Sequence, residues 1–164
     1  EGTITLIAEI ALSENGNARF AIELLWRAGK HANADNLDTV IPECARKAVS
    51  GIIPALRKSD LAALGLHEKL FLLAIATLSE RNQEANATFT EVEETYSVIC
   101  EEHNELPNTH TQLWKYLKDL TNQGIVETET SGTGSRGRAT LISLPRIPAN
   151  ELERELRTML QKEH

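Results

Sequence analysis

The feature that most constrains this chain is a change of hydrophobic period late in an otherwise helical sequence. Up to Asn122 apolar residues return every three or four positions, the spacing of helices with one buried face. Between Ile125 and Leu144 the period falls to two on either side of a glycine-rich turn, Ser131 to Gly137, which predicts two strands joined as a hairpin. After Pro148 the helical spacing resumes to Lys162, with Leu152, Leu156, Met159 and Leu160 on one side. A lone hairpin is not stable in water, so the flanking helices must cover it.

Four helical segments are expected first. Thr5 to Leu12 is stopped by Ser13 to Gly16, with Gly16 as a left-handed C-cap, and Asn17 caps Ala18 to His31, whose stripe is Phe20/Ala21, Leu24/Leu25 and Ala28. A third helix, capped by Asn36 or Asp38 and tolerating Pro42 near its start, runs to about Ser50 with Val40, Ile41, Cys44, Ala45 and Ala48 inward. Ile52 to Leu64 follows. Gly65-Leu66 reads as a boundary between domains at 1–65 and 66–164. Beyond it come a helix at His67 to Glu80 and a polar loop ending in extended Thr88-Phe89. A Thr-x-x-Glu capping box within Thr90 to Glu94 opens a helix to about His103, packing Val92, Tyr96, Ile99 and Cys100. A helix from Pro107-Asn-Thr109 to Asn122 is closed by Gly124. From Leu66 onward the order is helix, short strand, helix, helix, strand, glycine turn, strand, helix. That is the order of a winged helix-turn-helix, in which the third helix normally reads DNA.

Composition leaves room for such a fold. Of 164 residues, 41% are hydrophobic and 25% charged, ordinary globular usage that excludes collagenous and disordered classes. No apolar run approaches the ~20 residues of a membrane helix, and no signal-peptide pattern opens the chain. Cys44 and Cys100 fall in apolar stripes and read as core thiols, consistent with a reducing cytoplasmic setting. A start at Glu1 without methionine suggests a piece of a longer protein. The net charge of −7 argues against nucleic-acid binding, but its distribution matters more. Residues 82–105 carry seven acids and no Lys or Arg, whereas residues 109–146 carry five basic residues against three acids.

Enzyme chemistry finds no footing. Gly132-Thr-Gly134-Ser-Arg-Gly137 fits G-x-G-x-x-G, but a strand is expected after it rather than the helix a dinucleotide site needs. No phosphate-cradling P-loop occurs, and the histidines have no metal-ligand spacing. Glu93-Glu94 and Glu101-Glu102 read as solvated acids. DNA-binding chemistry is better supported. Leu113, Leu117 and Leu120 fix the core face of the Thr109 to Asn122 helix, with Tyr116 at its flank. The opposite side carries Thr111, Gln112, Lys115, Lys118 and Asn122, with Thr109 and His110 at the start. Gln can bond adenine, Lys guanine or phosphate, and a helix N-terminus favours an anion. Trp114, one residue from the core stripe, is read as packing. Arg136 and Arg138 on the hairpin tip suit phosphate or minor-groove contact, against an ordinary charged turn as the plainer alternative.

Gly16-Asn-Ala-Arg19-Phe-Ala-Ile-Glu-Leu-Leu-Trp-Arg-Ala-Gly29 resembles the lid of the archaeal origin-recognition/cell-division-control replication initiators, a branch of the AAA+ ATPases. Leu66-His-Glu-Lys-Leu70 and the Gly134-Ser-Arg-Gly137-Arg138 wing resemble the same family. Asn17 stands where the family usually has Asp, and either caps a helix. The resemblance implies a mainly α fold: an AAA+ helical lid followed by a winged helix with a small β-hairpin. It also implies a parent ATPase that uses ATP/ADP with magnesium, binds double-stranded origin DNA and helps load the replicative helicase. Arg19 matches the lid arginine called sensor 2, which reaches the nucleotide phosphates. The parent's catalytic elements would lie before Glu1, so this chain by itself is expected not to hydrolyse ATP. The other reading is a winged helix that docks another initiator subunit or a helicase.

Overall fold

The computed structural model describes residues 2–13, 18–50, 58–81, 86–131, 139–145 and 147–162. The expectations placed on Gly16, Asn17, the glycine motif, Arg136 and Arg138 lie outside these residues.

Three helices build the first unit: α1 (Gly2–Ser13), α2 (Ala18–Ala34) and α3 (Pro42–Ser50). Leu6, Ile7, Ile10, Leu24, Ala28, Cys44, Ala45 and Val49 close a small core between them. Leu25 is not in it: displaced about 100° around the helix from Leu24, it is 46% exposed. Neither Asn36 nor Asp38 caps the third helix. Asn36 takes a left-handed conformation (φ 55°), and the Leu37 amide donates to the Ala32 carbonyl, so this turn closes α2 instead. Helix α3 then starts at Pro42, where no amide donor is needed.

Of the expected Ile52 to Leu64 helix, residues 58–64 are described; α4 (Lys58–Ala62) is helical and ends two residues before the expected Leu64. Next come α5 (Leu66–Arg81), β1 (Asn86–Thr88), α6 (Phe89–Glu102), α7 (His110–Asn122), β2 (Glu127–Thr130), β3 (Thr140–Ser143) and α8 (Ala149–Lys162). The strands form one antiparallel sheet in the order β1-β3-β2, with Thr128 opposite Ile142 and Ala87 opposite Ile142 across the other edge. This is the winged helix expected from the sequence. Its core gathers Leu70 to Ala76 of α5 with Val92, Tyr96 and Ile99 of α6, Leu113, Leu117 and Leu120 of α7, Ile142, and Leu152 and Leu156 of α8. The α6 cap lies two residues before the expected box. Thr88 ends β1, its Oγ1 accepts the Glu91 amide, and its own amide donates to the Glu91 carboxylate. Phe89 is therefore helical. Both cysteines are buried and free.

The two units meet at a buried ion pair that pattern reading passed over. Arg46 of α3 has no exposed surface. Its Nε donates to the Leu144 carbonyl at 2.7 Å, and its Nη1 donates to Glu43 at 3.2 Å and to the Ser79 carbonyl at 3.4 Å. Glu43 accepts the Ala149 and Asn150 amides at 3.1 and 3.2 Å, so a carboxylate from the first unit caps α8 of the second. Burial pulls the Arg46 guanidinium below its ordinary value, and the Glu43 charge acts in the opposite direction.

Candidate nucleic-acid interface

The turn before α7 is set by α6. Burial holds the Tyr96 phenol well above its usual range, so it stays protonated. Its oxygen accepts the Asn108 amide at 3.1 Å, and Asn108 Nδ2 donates to the Tyr116 hydroxyl at 2.8 Å. The loop is thus pinned at both ends of the helix-turn-helix. At the far end Gly124 adopts φ +71°, and the Ile125 amide donates to the Leu120 carbonyl, turning the chain into β2.

Between these stops α7 divides as its periodicity requires. Leu113, Leu117 and Leu120 are buried, and Tyr116 packs at the flank. Thr109, His110, Thr111, Gln112, Lys115, Lys118 and Asn122 are all exposed. Thr109 is the N-cap but makes no side-chain cap bond. Every α7 candidate is therefore exposed, with Thr111, Lys115, Lys118 and Asn122 aligned along one side of the helix.

His110 is more constrained than its sequence position suggests. Its Nδ1 lies 3.0 Å from both Glu93 oxygens, and its Nε2 accepts the Trp114 indole N–H at 2.8 Å. A neutral ring with Nε2 accepting carries its proton on Nδ1, which then donates to Glu93. Glu93, read from the sequence as solvated, thus brings a negative charge to the start of α7, where it opposes the anion attraction of the helix terminus. The signal was long-range: no local spacing links residues 93 and 110.

Acids elsewhere are turned away from this surface by strand geometry. Alternate side chains of β2 point to opposite faces. Thr128 lines a groove of about 390 Å³ against α7, with Trp114, Leu117, Lys118, Thr121 and Asn122. Glu127 and Glu129 take the other face, within electrostatic reach of Glu9 on α1. Burial and then these two charges raise the Glu9 carboxyl above its usual value. Among the described residues no cluster of three or more His, Cys, Asp or Glu is placed to hold a metal ion. No described helix is long and apolar enough to cross a membrane.

Residues 59–154 match the family model for the CDC6 C-terminal winged helix domain, and residues 1–50 match that for the Cdc6 AAA+ ATPase-type lid domain. The chain belongs to the Cdc6 family. It is 39% identical over 132 residues to an ORC1-type DNA replication protein 2 of Saccharolobus solfataricus, covering 79% of this chain and 32% of the relative. The namesake from Sulfolobus acidocaldarius is 34% identical over 167 residues, covering 99% and 40%. The chain thus spans two fifths or less of these relatives. The crystal structure of Cdc6p from Pyrobaculum aerophilum superposes with a TM-score of 0.80 at 36% identity, covering 98% of this chain and 41% of that one. The Aeropyrum pernix ORC1 protein, solved in complex with DNA, gives 0.56 at 25% identity, covering 98% and 40%. The matched domains are those of the C-terminal part of ORC1/Cdc6-type replication initiators, and no catalytic domain is among them.

In the Cdc6 lid, Arg19 lies in the first turn of α2 and is exposed. The lid also exposes Ile4, Ile22 and Trp26, with Lys30 Nζ 3.7 Å above the Trp26 ring.

Proposed function

We propose that this chain is the DNA-docking part of a replication initiator and that α7 enters the major groove of duplex DNA. The observation that carries the reading is the sorting of α7: three leucines inward, and Thr111, Gln112, Lys115 and Lys118 outward, beside a β2 face cleared of carboxylates. Gln112 is suited to a base edge and the lysines to phosphates or guanine. Arg136 and Arg138 would reach the neighbouring backbone or minor groove. Replacing both arginines by Glu is expected to weaken binding to all duplexes alike, whereas Gln112→Ala blurs preference among sites. If both variants bind like the parent chain in a duplex titration, the assigned surface is wrong.

In the intact protein Arg19 would bridge nucleotide phosphates from the lid, since a guanidinium is permanently charged and forked. ATP/ADP with magnesium would be held by the part of the protein beyond this chain, and the exposed lid residues Ile4, Ile22 and Trp26 are suited to face it. This chain alone would show no ATPase activity above background. Loading of the replicative helicase belongs to the same reading. The second reading, docking of another initiator subunit or helicase through the winged helix, has one observation on its side: Trp114 is the exposed large apolar side chain of α7.

A further inference from the structure

Trp114 is neither a core residue nor a free surface aromatic. One face of its indole lies flat on Phe89, with centroids 4.3 Å apart and planes 6° apart. Phe89 is buried and packs in turn near Phe71 of α5. The indole N–H is spent on His110 Nε2, and His110 is held by Glu93 and set edge-on to Phe89 at 5.1 Å. Three elements and four side chains therefore fix one ring, yet 40% of Trp114 stays exposed. A fixed aromatic loses little entropy on binding, which is how interface anchors work.

The exposed part opens on the groove between α7 and β2, whose single charged lining residue among those described is Lys118. Lys115, also exposed, lies one turn before Lys118 on the same helix. A partner there meets Lys115 and Lys118 toward the C-terminal end of an apolar plate whose N–H is already spent, with the Glu93 charge behind His110 at the other end. Duplex DNA offers the complement: phosphates for the lysines and deoxyribose carbons for the indole. We propose that Trp114 is a DNA-contact residue that packs on a backbone sugar and positions the duplex in this groove. The proposal rests on the DNA reading above. Because the indole N–H is already satisfied, the contact supplies shape and apolar area, not base discrimination.

The chain has two tryptophans, so Trp26→Phe leaves Trp114 as the only indole reporter. Duplex binding is followed by anisotropy of a labelled strand, and Trp114 exposure by acrylamide quenching with unlabelled duplex at saturation. The expected result is that bound duplex shields Trp114 from acrylamide. Trp114→Ala should weaken binding by about tenfold, the cost of a lost anchor, to similar extents for mixed-sequence duplexes with thymine or uracil. Trp114→Phe, which keeps an aromatic on Phe89, should fall between. Undiminished quenching in a chain that binds DNA by anisotropy overturns the proposal and leaves the DNA reading standing. A loss confined to thymine-containing duplexes overturns the sugar assignment. Absence of any anisotropy change overturns both and favours the protein-docking reading.

Discussion

Two glutamates in this molecule do the same chemistry in opposite surroundings. Glu43 and Glu93 each pair with a basic side chain and each stands at the N-terminus of a helix from another element, α8 and α7. Glu43 is enclosed with Arg46, and its acceptors are filled by two helix amides and a guanidinium. Glu93 meets an exposed histidine at the edge of the reading surface. Burial decides what each can do. A buried charge stripped of its partner is expensive, so the Glu43–Arg46 pair serves architecture. An exposed pair is screened and adds little to stability, so Glu93 is free to tune what approaches α7.

The largest effect that would test this contrast is on stability. Arg46→Met leaves the Leu144 and Ser79 carbonyls without that donor and Glu43 without its counter-charge. It should lower unfolding free energy by about 3–5 kcal/mol in urea titration. Adding Glu43→Gln to it should recover part of the loss, because no uncompensated buried charge remains. Strict additivity of the two would break the account of the joint. Next comes DNA affinity: Lys115→Glu with Lys118→Glu should remove roughly two phosphate contacts and flatten the salt dependence by about 0.9 per contact. A smaller effect of opposite sign is expected from Glu93→Gln. Glutamine can still accept from His110 Nδ1, so Trp114 keeps its place while one negative charge leaves the start of α7. Binding should strengthen by about threefold at low salt and less at high salt. A Glu93→Gln chain that unfolds as readily as Arg46→Met would erase the distinction between the two glutamates.

The smallest effect concerns Glu9. Its carboxyl is raised in the folded chain, first by burial and then by Glu129 and Glu127. The folded state therefore disfavours the ionised form, and the penalty is present above the raised value and lost as pH falls below the unfolded one. Glu9→Gln should stabilise the chain slightly at neutral pH, by less than about 1 kcal/mol because solvent screens the group. It should make no difference in acid, as thermal melts at two pH values would show.

How much was legible in the sequence follows the range of each interaction. Helix and strand periods are local, so the winged helix and the inward face of α7 could be read from Leu113, Leu117, Leu120 and the alternation around Ile142. Caps were harder. The Thr-x-x-Glu box was placed near Thr90 when Thr88 and Glu91 form it, because pattern alone does not say where β1 ends. The joint was missed because it links residues 43 and 46 with residues 79, 144, 149 and 150. The available hint was a Glu-x-x-Arg pair among the apolar positions of a short helix. Glu93 is solvent-facing as read, but its pairing with His110 was missed for the same reason, since that partner lies on the next helix. Trp114, read as packing, is only half so, being stacked on Phe89 and 40% exposed at once.

The central claim is that the polar face of α7 takes duplex DNA despite a net charge of −7. Anisotropy of a labelled duplex with the 164-residue chain, at two salt concentrations and with the Lys115/Lys118 charge reversal, tests it most directly. The account predicts salt-sensitive binding that the reversal abolishes. Binding that ignores both salt and reversal, or no binding at low salt, would contradict it.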